Sequence, residues 1–219
     1  MISQIKLFSP KMPANYNNSA WFYDLLSRLI FGSSLIKAQV YLLQYIPQGS
    51  SVIIIGGGTG WILEEITKLH PSGLKITYVE ASEKMMAKSF KRFSGNNKIT
   101  YVNRPVERMV NTNRYDTVIT PFLLDNFSEQ TLASVFSHIN TLTKPGGLWL
   151  NSDFQFTGKW WQKVLLKFMV IFFRAVCNIE AEGLPDIEKQ FLRHGYKPIA
   201  QKTFYSNFVA SNVYQVPPI

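Results

Sequence analysis

A chain of 219 residues, 46% of them hydrophobic, can bury one full-sized core, so a single domain with terminal additions is expected. The only cysteine, Cys177, excludes an intrachain disulfide and favours a reducing compartment. A formal charge of +9 points to an anionic partner or substrate without choosing among nucleic acid, lipid headgroups and small acids. In chain order, Met1 to Ser19 is polar and irregular and has no apolar stretch of signal-peptide length, which predicts a loose arm and a cytoplasmic protein. From Ala20 to Ile46 apolar residues recur at helical spacing (Trp21, Leu25, Leu29, then Leu35, Val40, Leu43), with a break at Gly32, Ser33 and Ser34, so two helices joined by a short turn are expected.

The segment SVIIIGGGTGWILEEI, Ser51 to Ile66, organises the rest of the chain. Val52 to Ile55 reads as a strand buried on both faces of a parallel sheet. Gly56, Gly57, Gly58 and Gly60 then predict a sharp turn whose backbone a ligand can approach. Trp61, Ile62, Leu63, Ile66 and Leu69 share one helical face, with Glu64 and Glu65 in the first turn. Strand, glycine turn and helix N-terminus make a nucleotide-type site at the carboxyl end of the first strand. It is not a dinucleotide fingerprint, because Trp61 stands where the third glycine of G-x-G-x-x-G would pack. The next strand, KITYVE, ends at Glu80, a carboxylate placed to accept hydrogen bonds from both hydroxyls of a ribose.

A helix from Ser82 to Phe93, with Ser82 as its cap, comes next, and after it a third strand, ITYVN. The fourth strand is Tyr115 to Phe122. His138 sits among Leu132, Val135, Phe136 and Ile139 and reads as a packing residue. Lys144 to Gly147, KPGG, predicts a turn before a fifth strand, LWLNSDF, which brings Asn151 and Asp153 to the sheet's carboxyl edge, where ligands bind in open α/β folds. In Lys159 to Val176 the cations Lys159, Lys163, Lys167 and Arg174 form one helical stripe amid aromatic and aliphatic residues. This segment fits either a lid over an apolar acceptor pocket or a helix lying at an anionic membrane surface. Leu184 to His194 predicts a last helix, and Tyr196 to Thr203 with Phe208 to Val216 predicts two strands around a turn at Tyr205 to Asn207. His70, His138 and His194 lie far apart, so no metal site is expected.

IIIGGGTG, the strand-end Glu80 and LTKPGGLWL from Leu142 to Leu150 occur in order at suitable spacing. With them, Tyr16 to Gln215 resembles the class I S-adenosylmethionine-dependent methyltransferases, in particular the small-molecule branch that includes the ubiquinone/menaquinone-biosynthesis type. The resemblance implies an α/β, doubly wound, mostly parallel seven-stranded Rossmann-like sheet with a C-terminal antiparallel hairpin and an N-terminal helical cap. It divides the chain into an arm and cap at 1–46 and a methyltransferase domain at 47–219, with a lid or substrate insertion at about 154–183. It implies cofactor contacts at Gly56, Gly57, Gly58, Gly60, Glu80, Ala81, Met85, the Val106 N–H, Thr120, and Tyr16 or Tyr23 of the N-terminal region. Two positions depart from the family's pattern. Ile54 stands where a carboxylate is usual, and Pro105 stands where an acidic residue pairs with the adenine amine.

The resemblance implies methyl transfer from S-adenosylmethionine to a small, hydrophobic acceptor, with S-adenosylhomocysteine as product. An oxygen acceptor needs a group to take its proton, and Asp125 and Asp153 are the candidate catalytic residues. Thr120, Pro121, Phe122 and Leu123 replace the N-P-P-Y type segment of nucleobase methyltransferases, so nucleic acid is not the expected partner. Two other readings stay open: a cofactor-binding protein without turnover, suggested by Ile54 and Pro105, and an RNA methyltransferase, suggested by charge.

Overall fold

The computed structural model describes residues 30–109, 113–177 and 183–217. Tyr16, Tyr23 and the first expected helix up to residue 29 lie outside the described residues. The chain runs α1 (Ser34–Leu43), β1 (Ser51–Ile55), α2 (Trp61–Leu69), β2 (Ser72–Val79), α3 (Glu83–Ser89), β3 (Asn96–Val102), a 3-10 turn (Val106–Arg108), β4 (Tyr115–Pro121) and a second 3-10 turn (Leu124–Asn126). It continues through α4 (Glu129–Thr141), β5 (Thr143–Phe154), α5 (Trp160–Cys177), α6 (Ile187–Arg193), β6 (Lys197–Phe204) and β7 (Val209–Gln215).

The strands form one sheet in the order β3-β2-β1-β4-β5-β7-β6. β1 through β5 are parallel, and β7 inserts antiparallel between β5 and β6. This is the expected doubly wound sheet with its closing hairpin. Tyr205, Ser206 and Asn207, all at positive φ, make the expected hairpin turn. The winding reverses at β1, which pairs β2 on one side and β4 on the other, so the topological switch point, where ligands bind in open α/β sheets, falls at the carboxyl ends of β1 and β4.

Strand periodicity explains why Val52 to Ile55 had to be apolar throughout. Ile53 and Ile55 face a layer built from Leu132, Val135, Phe136 and Ile139 of α4 and Phe191 of α6, together with Trp149 and Tyr214. Val52 and Ile54 face the other layer, built from Leu42 and Leu43 of α1, Ile62, Leu63 and Ile66 of α2, and Met86 of α3. A third cluster gathers at the carboxyl edge: Phe31, Leu35, Ala38, Phe154, Phe208 and Val209, with Phe122, Trp161 and Tyr205 packed against them.

One expectation is corrected. KPGG is not a turn ahead of the fifth strand. Tyr115 pairs with Thr143 and Thr117 with Leu148, so Lys144 to Gly147 loops out as a bulge inside β5, with Gly146 at φ +72°. α1 lies on a sheet face, where its Leu42 and Leu43 are fully buried and the Ala38 carbonyl accepts from Ser211 Oγ at 2.8 Å. Its first half, through Leu35 and Ala38, joins the carboxyl-edge cluster.

Candidate functional site

The glycine turn is tied to β2 by the N–H groups of Gly56 and Gly57, which donate to the Val79 carbonyl at 2.9 and 3.4 Å. Gly57 is required by space. A Cβ there would stand 2.3 Å from ring carbons of Tyr78, a fully buried side chain whose hydroxyl donates to the Gly58 carbonyl at 2.9 Å. Gly58 is required by conformation: it has φ +64°, and nothing lies within 4 Å of where its Cβ would be. The turn thus has a packed floor and an open upper side. Gly60, at φ +81°, begins α2 and lets Ser89 of α3 approach its backbone closely.

Glu80 closes the cradle. Its Oε2 accepts from the Gly58 N–H at 2.9 Å and its Oε1 from the Ser82 N–H at 2.8 Å. Each oxygen keeps a second lone pair, so the carboxylate can brace the turn and still receive two ligand hydroxyls. Burial pushes the Glu80 pKa up, opposed by these backbone donors. Asn103, just past β3, donates to the Glu80 carbonyl at 2.7 Å and fixes the chain after β2. Of the remaining expected cofactor contacts, Ala81 is exposed, while Met85 is buried in the first turn of α3 behind its Ser82 cap. Val106 opens the first 3-10 turn, so its N–H has no partner within that turn. The Thr120 hydroxyl is engaged elsewhere: it donates to Asn151 Oδ1 at 2.7 Å and accepts from Trp149 Nε1 at 2.9 Å.

Asp125 and Asp153 come together at the carboxyl edge, one from the second 3-10 turn after β4 and the other from the end of β5. Their carboxyls are electrostatically coupled, so a charge on one opposes a charge on the other. Burial pushes Asp125 up to about 6. Asp153 is pushed well above the carboxylate range, first by burial and then by the charge of Asp125. No N–H or O–H meets either Asp153 oxygen in good hydrogen-bond geometry, and the nearby Asn151 amide and Asp125 N–H offset only part of the burial. Asp153 therefore holds a proton more tightly than Asp125 does. The Asp125 side is held by Asn126, whose Nδ2 donates to Asp125 Oδ1 at 2.9 Å and to the carbonyl of Phe122 at 2.9 Å. Phe122 has φ +53°, a strained bend that turns the chain off β4 toward Asp125.

Sequence reasoning missed Tyr78, Asn103 and Asn126. Tyr78 was within reach, because it stands two residues before Glu80 on one strand and so shares its face. Asn103 and Asn126 act through contacts that no spacing announces. His138 remains on α4, away from these groups. Among the described residues no cluster suited to a metal ion occurs.

Residues 52–147 match the family model described as a methyltransferase domain, a span that runs from β1 through Glu80 to the bulge in β5. No curated protein matches the chain at a significant level. Its fold is similar to human N-acetylserotonin methyltransferase in complex with S-adenosylmethionine (TM-score 0.63, 16% identity, 83% of this chain and 52% of that one). It is also similar to Burkholderia thailandensis 1,6-didemethyltoxoflavin-N1-methyltransferase with bound 1,6-didemethyltoxoflavin and S-adenosylhomocysteine (TM-score 0.61, 12% identity, 91% and 88% covered). A third similar structure is an O-methyltransferase family protein from Burkholderia thailandensis (TM-score 0.70, 18% identity, 90% and 59% covered). The chain spans about half the length of the human enzyme. The fold is Rossmann-like, and residues 52–147, under half of the chain, are similar to methyltransferase domains.

Proposed function

We propose that the protein transfers a methyl group from S-adenosylmethionine to a small, hydrophobic acceptor, and that Asp125 takes the acceptor's proton. The observation that carries this reading is the pairing of an open Gly58 backbone with Glu80, together with two coupled carboxyls at the same carboxyl edge of the sheet. The residues fit the cofactor: Glu80 would receive the ribose hydroxyls, the open backbone at Gly58 would take its amino-acid end, and Met85 and the Val106 N–H would hold the base. When bound, S-adenosylmethionine supplies an electrophilic methyl group on a sulfonium.

The protein's own task is then to hold the acceptor in line, exclude water and receive one proton. Asp125 is partly exposed whereas Asp153 is buried, and burial together with the charge of Asp125 makes Asp153 the harder of the two to ionise. Asn126 orients Asp125 through its hydrogen bond to Oδ1. Phe122 and Phe154 adjoin the pair in sequence, and their rings pack 5.3 Å apart in the aromatic cluster at the sheet edge. That apolar wall supports a hydrophobic acceptor, as does the resemblance to the ubiquinone/menaquinone-type branch.

The test is thermal unfolding with S-adenosylmethionine, S-adenosylhomocysteine and NAD, followed by transfer of labelled methyl into a lipid-soluble cell extract. Ligand at about 100 times its dissociation constant adds roughly 2.7 kcal/mol, a rise of about 5–10 °C for a domain of this size. The first two ligands should give that shift and NAD none. Glu80→Gln should abolish both shift and transfer, and Asp125→Asn only transfer. Transfer confined to RNA or protein would overturn the acceptor assignment. A shift without transfer to any extract would leave a cofactor-binding protein without turnover.

A further inference from the structure

Helix α5 carries more than a wall for the site. Its inner face, Trp161, Leu165, Leu166 and Met169, packs on the carboxyl-edge cluster. Its first turn is pinned by Gln162, whose Oε1 accepts from the Thr157 N–H at 2.8 Å, and by Lys159, whose Nζ donates to the Ser206 carbonyl at 3.0 Å. The outer face is not polar, as a solvated helix face would be. Trp160 is 78% exposed and Phe168 69%, with Val164 and Ile171 also exposed; at intervals of four, four and three these residues form one apolar arc. Beside that arc Lys163, Lys167 and Arg174 form a parallel basic stripe, all exposed. No acidic residue occurs in the helix, and no ion pair among the described residues reaches these three cations.

We propose that this outer face docks on the surface of an anionic phospholipid bilayer, with the helix lying in the interface plane. Apolar and cationic groups side by side are what a headgroup boundary receives: Trp160, Val164, Phe168 and Ile171 enter the acyl margin, and the cations meet lipid phosphates. No helix among the described residues is long and apolar enough to cross a membrane, so the contact is peripheral. A nucleic acid would use the cations but leave the apolar arc in water. A second copy docked through the same face would set cations against cations. The net charge of +9 adds long-range attraction to any anionic surface, and the apolar arc selects the lipid one. This inference is independent of the methyl-transfer reading.

The test is co-sedimentation of the full chain with phosphatidylcholine vesicles that contain or lack phosphatidylglycerol, with and without salt. Binding is expected to the anionic vesicles, with weakening by salt. Lys163→Gln with Lys167→Gln should lower it about 25-fold, roughly fivefold per cation. Trp160→Ser with Phe168→Ser should lower it about as strongly. All four positions are exposed, so the variants should keep the wild-type unfolding temperature within about 2 °C. No binding to anionic vesicles, or binding indifferent to both pairs of substitutions, would overturn the proposal. So would binding to duplex RNA that depends on Lys163 and Lys167 but not on Trp160 and Phe168, or self-association abolished by Trp160→Ser with Phe168→Ser.

Discussion

The ring of Tyr78 lies under Gly57 so closely that a methyl group on Gly57 would stand 2.3 Å from two of its carbons, while the Tyr78 hydroxyl holds the Gly58 carbonyl. The floor of the glycine turn is therefore a side chain of β2, and the turn's shape depends on it. Gly57→Ala should push the turn off Tyr78, destabilise the fold by about 2 kcal/mol and abolish the S-adenosylmethionine-dependent thermal shift. The double variant Gly57→Ala with Tyr78→Leu relieves the contact and should recover most of the stability. Thermal unfolding of the single and double variants checks this.

The carboxyl pair predicts a pH dependence of opposite sign to ordinary acid denaturation. Asp125 and Asp153 both have folded pKa values raised above their unfolded values, so the folded state binds protons more tightly. Their contribution is fully present below about pH 4 and is lost as pH rises, through about 6 for Asp125. Asp153→Asn replaces a carboxyl that must keep its proton with a group that needs none. It should raise the unfolding temperature at pH 8 relative to wild type, with the difference vanishing near pH 4. Transfer by the wild type should rise with pH through about 6, as Asp125 loses its proton, and Asp125→Asn should remove that limb. A wild-type rate that is flat between pH 5 and 8 would exclude Asp125 as the proton acceptor.

What the sequence reveals of this molecule is set by the range of the contacts involved. The glycine turn, Glu80, the Ser82 cap and the terminal hairpin are legible because each is settled within a few residues. Asp125 and Asp153 are legible as candidates at one sheet edge. That they are coupled is not, since it depends on where the bend at Phe122 aims a turn formed 28 residues before Asp153. The KPGG bulge reads as a turn for a similar reason: proline and glycine announce a break in pairing, but only the register between β4 and β5 shows that the strand resumes on both sides.

At the opposite edge of the sheet, Asp116 ties three elements. Its Oδ2 accepts from the Ser51 N–H at 2.8 Å and Oγ at 2.6 Å, and its Oδ1 accepts from Lys144 at 2.7 Å. Partial burial opposes ionisation, but these donors outweigh it and bring Asp116 down to about 2. A lowered folded pKa means stability that is present above about pH 4 and lost as pH falls toward 2. The site is well solvated, so Asp116→Asn should cost only about 1 kcal/mol at pH 7 and nothing near pH 2, as read by denaturant titration at the two values.

Ile54 stands where the resembling methyltransferases usually carry a carboxylate, and the structure gives that substitution a definite cost. Its side chain is fully buried, in register with Tyr78 on one side and Ile119 on the other, and it belongs to the layer that includes Ile62, Ile66 and Leu150. That layer is apolar and offers a carboxylate no obvious donor. Ile54→Asp should therefore lose about 4 kcal/mol or more and leave little folded protein at 37 °C. Ile54→Val removes one methyl group, should cost about 1 kcal/mol, and should keep the S-adenosylmethionine-dependent shift. Together these outcomes would place the residue in the core of this chain, with cofactor binding resting on Glu80 and the turn. An Ile54→Asp protein that folds and binds the cofactor more tightly than wild type would mean instead that the polar crevice reaches down to β1, and that Ile54 is what weakens it.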